Sequence, residues 1–189
     1  MSHNLLLNAS FHCFLLHCDQ ISANQSRVDG CPYCGGKLHR ANYPRKVIGI
    51  QNPHREHYQH RFSFCCQQCR RRTTPPSMRF LGRFRYTFAL IIVMSAMQSH
   101  SASRLRRLQI RYDIQVPPLT LQRWKSWWQG FIQSSFWQTQ RGLFSHSQNA
   151  AKGNISRWLL RQFHGSLLEK LLRLMAFLMP LSVPGLHII

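Results

Sequence analysis

The sequence predicts a mainly α chain with a small N-terminal β ribbon and a helix-turn-helix-like pair of central helices. Three observations lead there. Two Cys-x2-Cys pairs, Cys31/Cys34 and Cys66/Cys69, bracket a 31-residue insert. Two amphipathic runs, 104–112 and 118–132, meet at a short turn. A third run, 155–179, repeats apolar residues at helical spacing. The expected divisions are an N-terminal extension (1–27), the ribbon (28–74), a helical region (75–140), and a linker with an amphipathic C-terminal helix (141–189).

The first twenty residues, MSHNLLLNASFHCFLLHCDQ, are apolar in patches. No Lys or Arg precedes Leu5, and Asn8, His12 and His17 interrupt the patches. That is not a secretory signal, so a loosely attached extension with room for one helix is expected. Phe88–Met97 is apolar but far short of the roughly 20 residues of a spanning helix. The uncharged tail from Leu174 is broken by Pro180, Pro184 and Gly185. A cytoplasmic, reducing location follows, where paired Cys read as metal ligands rather than disulfides.

Two Cys-x2-Cys knuckles supply the four thiolates of a tetrahedral structural zinc site. The two-residue spacer lets both sulfurs face one ion above a tight turn, and Gly35-Gly36 permits that turn. The metal set is therefore Cys31, Cys34, Cys66 and Cys69, holding one zinc ion. Cys65 offers a C-x3-C alternative to Cys66; the C-x2-C register is preferred because it mirrors the first pair. His54, His57 and His60 read as surface loop residues, and Cys13 and Cys18 as incidental. A ribbon this small lacks a sufficient apolar core, so metal binding supplies its folding energy.

The formal net charge is +20, from 25 Lys+Arg against 5 Asp+Glu. Nine basic residues and one acidic fall in 31–72, and the same numbers in 73–130. Such a surplus favours a polyanionic partner. The five carboxylates, Asp19, Asp29, Glu56, Asp113 and Glu169, are scattered. A two-metal recombinase or nuclease needs several that converge, so no catalytic residue, no small-molecule substrate and no enzyme activity is expected.

Thr73–Met78 reads as a Pro-rich linker and Phe80–Met97 as one mostly buried helix. After a Ser-rich break, Leu105, Leu108 and Tyr112 mark a short helix with Arg104, Arg106, Arg107 and Arg111 on its other faces. Asp113–Pro117 is the turn, and Pro118 suits the first position of the next helix. Leu121, Trp124 and Trp128 form its inner face. Thr120, Gln122, Arg123, Lys125 and Ser126 are left to contact bases and phosphates of duplex DNA. An ordinary helical hairpin has the same periodicity, and Pro117-Pro118 in place of a turn Gly leaves the interhelical angle open. Arg70, Arg71 and Arg72, directly after the last ligand, suit phosphate contacts.

CPYCGGKLHRANYPRK, RFSFCCQQCRRRTTPPSMRFLGR and LTLQRWKSWW together resemble bacterial proteins encoded with mobile elements, over roughly residues 28–140. Those resemble the N-terminal DNA-recognition part of a transposase: a zinc ribbon, then a helix-turn-helix, sometimes without a catalytic domain. The resemblance implies metal ligation by the four Cys, DNA contact by the 118–126 helix, and a nucleoid-associated accessory factor, truncated transposase or regulator. Two alternatives stand beside it. One is an RNA-binding or ribosome-associated ribbon in which Tyr33, Tyr43 and Phe64 stack on bases; the other is a decayed mobile-element product without function. In the C-terminal segment, Asn154 caps a helix that Gly165-Ser166 divides in two. Its stripe of Trp158, Leu159, Phe163, Leu167, Leu171, Leu174 and Leu178 fits packing on the protein's own core. A partner face for a transposase or a second copy is the second reading, behind that one. A membrane-surface role is the least favoured.

Overall fold

The structure is a computed structural model and describes residues 8–98, 106–107, 109–110, 114–144 and 153–183. It begins with the longest helix among them, α1 (Ala9–Asp29). Asn8 caps it, accepting from the amides of Ser10 at 2.9 Å and Phe11 at 3.4 Å. Phe11, His12, Leu15, Asp19 and Ala23 form its buried stripe. In its described part the segment expected to be loosely attached is thus packed from Phe11 to Ala23. Of its polar residues His12 and Asp19 are inside, each 2% exposed, whereas Asn8 and His17 remain exposed.

The ribbon strands follow: β1 (Leu38–Arg40), β2 (Tyr43–Pro44), β3 (His60–Arg61), β4 (Phe64–Cys66) and β5 (Arg72–Thr73). A three-stranded antiparallel sheet has the order β1-β4-β5, and β2 pairs β3 antiparallel. Leu38 lies opposite Cys66 and Arg40 opposite Phe64, so β4 enters the second Cys pair beside the strand that leaves the first. Ala23, Cys31, Leu38, Phe64 and Cys66 close a small apolar cluster beneath.

The insert between the knuckles is not a surface loop. It carries a 3-10 helix (Asn52–Tyr58) on which His54 and Tyr58 are buried. His12 Nδ1 lies 2.8 Å from the Tyr58 hydroxyl, and the His12 and His54 rings sit 4.6 Å apart. His57 is half-buried and His60 exposed. Long-range polar contacts then tie the insert, α1 and the chain after β5 together. The Asp19 carboxylate accepts from Arg79 Nε at 2.7 Å and from the Met78 amide at 2.6 Å. Arg79 also donates to the carbonyls of His57 and His60. Ser77 N donates to Ser182 Oγ at 2.7 Å, bringing the 3-10 turn Met179–Ser182 to the same core.

Phe80–Met97 is not one helix. Gly82 has φ 51°, Phe84 N turns back to Leu81 O, and Phe80 bridges Thr87 antiparallel. Helix α2 starts only at Phe88 and ends at Met97 (Phe88–Met97). The division between two compact units falls inside it: residues 8–88 with 176–183 form one, and 89–175 the other. It does not fall at the Pro-rich 73–78 segment, whose Ser77 and Met78 belong to the first core.

In the second unit α3 (Pro118–Gln133) starts with Pro at its first position and buries Trp124, Trp128 and Phe131. Leu121 is half-buried and Leu119 is exposed. The inner face therefore keeps Trp124 and Trp128 as expected and runs on to Phe131, with Leu121 at its edge. Ser134 caps α4 (Ser135–Gln140), and Trp137 packs on Phe131 with ring centres 5.3 Å apart. Asn154 caps α5 (Ile155–Gln162) through the Arg157 amide and donates to Ser95 O. Gly165-Ser166 divides α5 from α6 (Leu167–Leu178), as the sequence implied. Leu159, Leu171 and Leu174 of the stripe are fully buried, whereas Leu167 is exposed. The fold is thus mainly helical with a small β region. Among the described residues no helix is long and apolar enough to cross a membrane.

Candidate metal centre

The two Cys pairs fold into matched turns. In the first, Gly35 N donates to Cys31 O at 2.8 Å and Cys31 N to Gly36 O at 2.9 Å. In the second, Arg70 N donates to Cys66 O at 3.2 Å and Cys66 N to Arg71 O at 3.0 Å. The fourth residue after each leading Cys is left-handed: Gly35 at φ 69° and Arg70 at φ 59°. Arg70 holds a conformation that L residues rarely adopt, imposed by the need to close the second turn as Gly35 closes the first. The correspondence settles the register as Cys66-x2-Cys69. The Cys65 thiol points elsewhere, 3.5 Å from the Arg70 carbonyl.

The sulfurs of Cys31, Cys34, Cys66 and Cys69 all lie within 4.8 Å of one another. The Cys31–Cys69 separation is 3.6 Å and the Cys34–Cys66 separation 3.5 Å. Four thiolates at about 2.3 Å from one tetrahedral ion would stand about 3.8 Å apart. A disulfide needs about 2.05 Å. The four cysteines thus lie close together in an arrangement compatible with one structural metal ion. Their protonation fits as well. The backbone amide of Cys69, then that of Gln68 and the neighbouring thiols, draws Cys66 down to about 6 against its burial. Cys69 is pushed up to about 12: the Arg71 amide favours its thiolate, but burial and the thiols of Cys31, Cys34 and Cys66 outweigh that. Adjacent sulfurs resist ionising together, and a central cation removes that conflict.

Gly36 is where the two turns meet. A Cβ there would stand 2.8 Å from Gln68 Oε1 and 3.1 Å from Cys66 Sγ. The glutamine end can swing away; the sulfur cannot without leaving its ligand position. Gly36→Ala is therefore expected to weaken metal retention several-fold while the chain still folds with metal in excess. Competition with a chelator measures it, and unchanged retention would contradict the cradle.

The arginine run sits on the rim. Arg70, Arg71 and Arg72 are all exposed. The Arg71 guanidinium lies 4.7 Å over the Tyr33 ring, pinning the second turn to the first, and Arg72 lies 5.7 Å from the centre of Tyr43. Arg72 also donates to Ala41 O and Ser63 Oγ. Of the three aromatics considered for base stacking, Phe64 is 4% exposed and belongs to the core.

Gln122, Arg123, Lys125 and Ser126 are exposed on α3 and Thr120 is half-buried. They belong to the second compact unit. The helix expected over 104–112 falls mostly outside the described residues. Residues 106–107 and 109–110 are helical, and Arg106 and Arg107 are exposed. Sequence reading missed the buried polar anchors His12, Tyr58, Asp19 and Arg79, because none sits in a recognisable spacing.

No protein-family model, curated protein or solved structure matches the chain.

Proposed function

We propose that this chain is a DNA-binding protein with one structural zinc ion, in which arginines grip the phosphodiester backbone and α3 reads bases. A closed tetrahedral set of four sulfurs is zinc or iron–sulfur chemistry, and paired Cys-x2-Cys knuckles around a single ion favour structural zinc. The observation that carries the DNA reading is the arginine run at that centre. Stacking on Tyr33 and Tyr43 occupies the faces of Arg71 and Arg72, which remain exposed. The Arg71 guanidinium edge is then pre-organised for phosphate oxygens, while one nitrogen of Arg72 is already held by Ala41 O and Ser63 Oγ. The net charge of +20 supports the same partner.

On α3, Gln122 and Arg123 are the base-reading side chains, with Thr120, Lys125 and Ser126 beside them on a helix-turn-helix. The protein acts as a binding module rather than an enzyme. The resemblance of residues 28–140 to transposase DNA-recognition regions supports an accessory factor, a truncated transposase or a regulator. A transposase or a second copy would then be a protein partner through the C-terminal helices, and the nucleoid its location.

Arg123→Ala is expected to cost about 1–3 kcal/mol on the preferred duplex and little on random DNA. Replacing Arg70, Arg71 and Arg72 by Gln should weaken binding on every sequence, with the salt slope falling by about 1 for each phosphate no longer neutralised. Selected-site and random duplexes titrated against salt separate the two. Equal loss on both for Arg123→Ala would remove α3 as the reading element.

A further inference from the structure

We infer that the groove between the last turn of α1 and strand β1 is a phosphate site, occupied in function by the nucleic-acid backbone and reading no base. The identity of that occupant rests on the DNA-binding reading above; the groove itself stands on separate residues. It has a volume of about 460 Å³ and is lined by Arg27, Lys37, Leu38, His39 and Arg40. Clefts of about 300–1,000 Å³ hold small organic molecules, so this one fits a nucleotide-sized stretch of chain better than a lone ion.

Packing gathers these cations. Leu38 is buried while His39 and Arg40 are exposed on β1. His39 Nε2 lies 3.2 Å from Gln67 Oε1, and the Gln67 amide donates to Lys37 O. The β1 wall is thereby tied to the second Cys turn. Arg27 lies one helical turn beyond Ala23, which packs in the same apolar cluster as Leu38 and Cys66. Like charges brought together repel unless an anion joins them. Among the described residues no carboxylate lines the groove. Asp29, in the same turn as Arg27, accepts instead from Gln25 Nε2 at 2.7 Å. The lining offers cationic donors and no Phe, Tyr or Trp, and its one ring, His39, is held at the edge by Gln67, which is the chemistry of phosphate contact rather than of base stacking. The groove opens on β1 and the arginine run ends in β5, the two outer strands of the three-stranded sheet. These are two separate stations for one polyanion.

The test is the triple variant Arg27→Gln, Lys37→Gln, Arg40→Gln in the full metal-loaded chain. All three side chains are exposed, and metal content with unfolding temperature confirms that the fold is kept. Weaker binding to random-sequence duplex DNA is expected, by the same factor on every sequence. The slope of log K against log salt should fall by about 2–3, at about 0.9 per phosphate. Duplex binding with an unchanged slope overturns the inference. If the unaltered chain binds no duplex at any salt, the DNA reading fails and inorganic tripolyphosphate becomes the probe. Saturable shifts of the His39 ring protons that the variant loses keep the groove as a phosphate site. No shifts in the unaltered chain overturn it.

Discussion

Cys34→Ser and Cys69→Ser will each strip the ribbon of its metal and of its fold. The apolar cluster beneath the site is five residues, two of them the ligands Cys31 and Cys66. Burial on that scale cannot offset the ordering of the roughly twenty residues of the two Cys turns and strands β1, β4 and β5, at about 1–2 kcal/mol each for the backbone alone. Structural zinc in comparable small domains supplies about 10–16 kcal/mol of apparent binding free energy near neutral pH. Removing one thiolate leaves three ligands and opens the site to water, so both metal and the β1–β4–β5 pairing should go together. The expected readout is one zinc per chain in the unaltered protein and much less than one in either variant, with loss of the strand signals in the ribbon. Cys65→Ser is the control: its thiol faces the Arg70 carbonyl and stands outside the cluster, so stoichiometry should be kept. Acid should mimic the Ser variants, because protons compete with metal for every thiolate. Zinc retained in full by both Ser variants would refute the ligand set.

That site was legible because its information is local. A Cys-x2-Cys pair announces its own turn, and two such pairs need only meet. Two helix starts were legible for the same reason: Asn154 as a cap and Pro118 as a first helical residue act within one turn of where they stand. What escaped was information held at a distance. His12 and Asp19 look like breaks in an apolar helix until Tyr58 and Arg79, 46 and 60 residues on, are seen to satisfy them. A polar residue on an amphipathic helix carries no mark that says whether a partner will come. The stretch 80–97 failed differently. Only 88–94 is an unbroken apolar run; ahead of it Arg83 and Arg85 alternate with Phe84 and Tyr86, a period of two that, with Gly82, signals that the helix starts later. On α3 the expected face holds at Trp124 and Trp128; Leu121 at its start is only half-buried, and Phe131 extends the face by one turn.

Asp19→Ala should destabilise the N-terminal unit more than any other single change outside the four Cys. Asp19 and Arg79 are each 2% exposed and meet at 2.7 Å. Breaking a buried pair by removing one partner costs about 3–5 kcal/mol, because the other charge stays buried. Here the penalty falls at the upper end. The guanidinium groups of Arg45, Arg61 and Arg79 all lie within 5.6 Å of the Phe80 ring centre, and Asp19 is the one carboxylate among the buried described residues. Burial already draws Arg61 down to about 10, with Asp19 the first of the charges that hold it up. Against a typical net stability of about 5–15 kcal/mol, the unit should become marginal or unfold. Removing both charges, as Asp19→Leu with Arg79→Met, is the informative comparison. Apolar replacement of a whole buried pair is often neutral, but Arg79 also serves the carbonyls of His57 and His60. Each carbonyl left unmet costs about 1–3 kcal/mol, so the double variant should recover only part of the loss. All five Trp lie in the second unit. Their fluorescence therefore follows that unit, while thiolate-to-cobalt absorption of the cobalt-loaded protein follows the first. A denaturant midpoint for the cobalt signal that moves by less than the equivalent of about 1 kcal/mol in Asp19→Ala would show that the pair is dispensable. A double variant as stable as the unaltered chain would show that neither the two carbonyls nor the Met78 amide, which Asp19 accepts from, needs its partner.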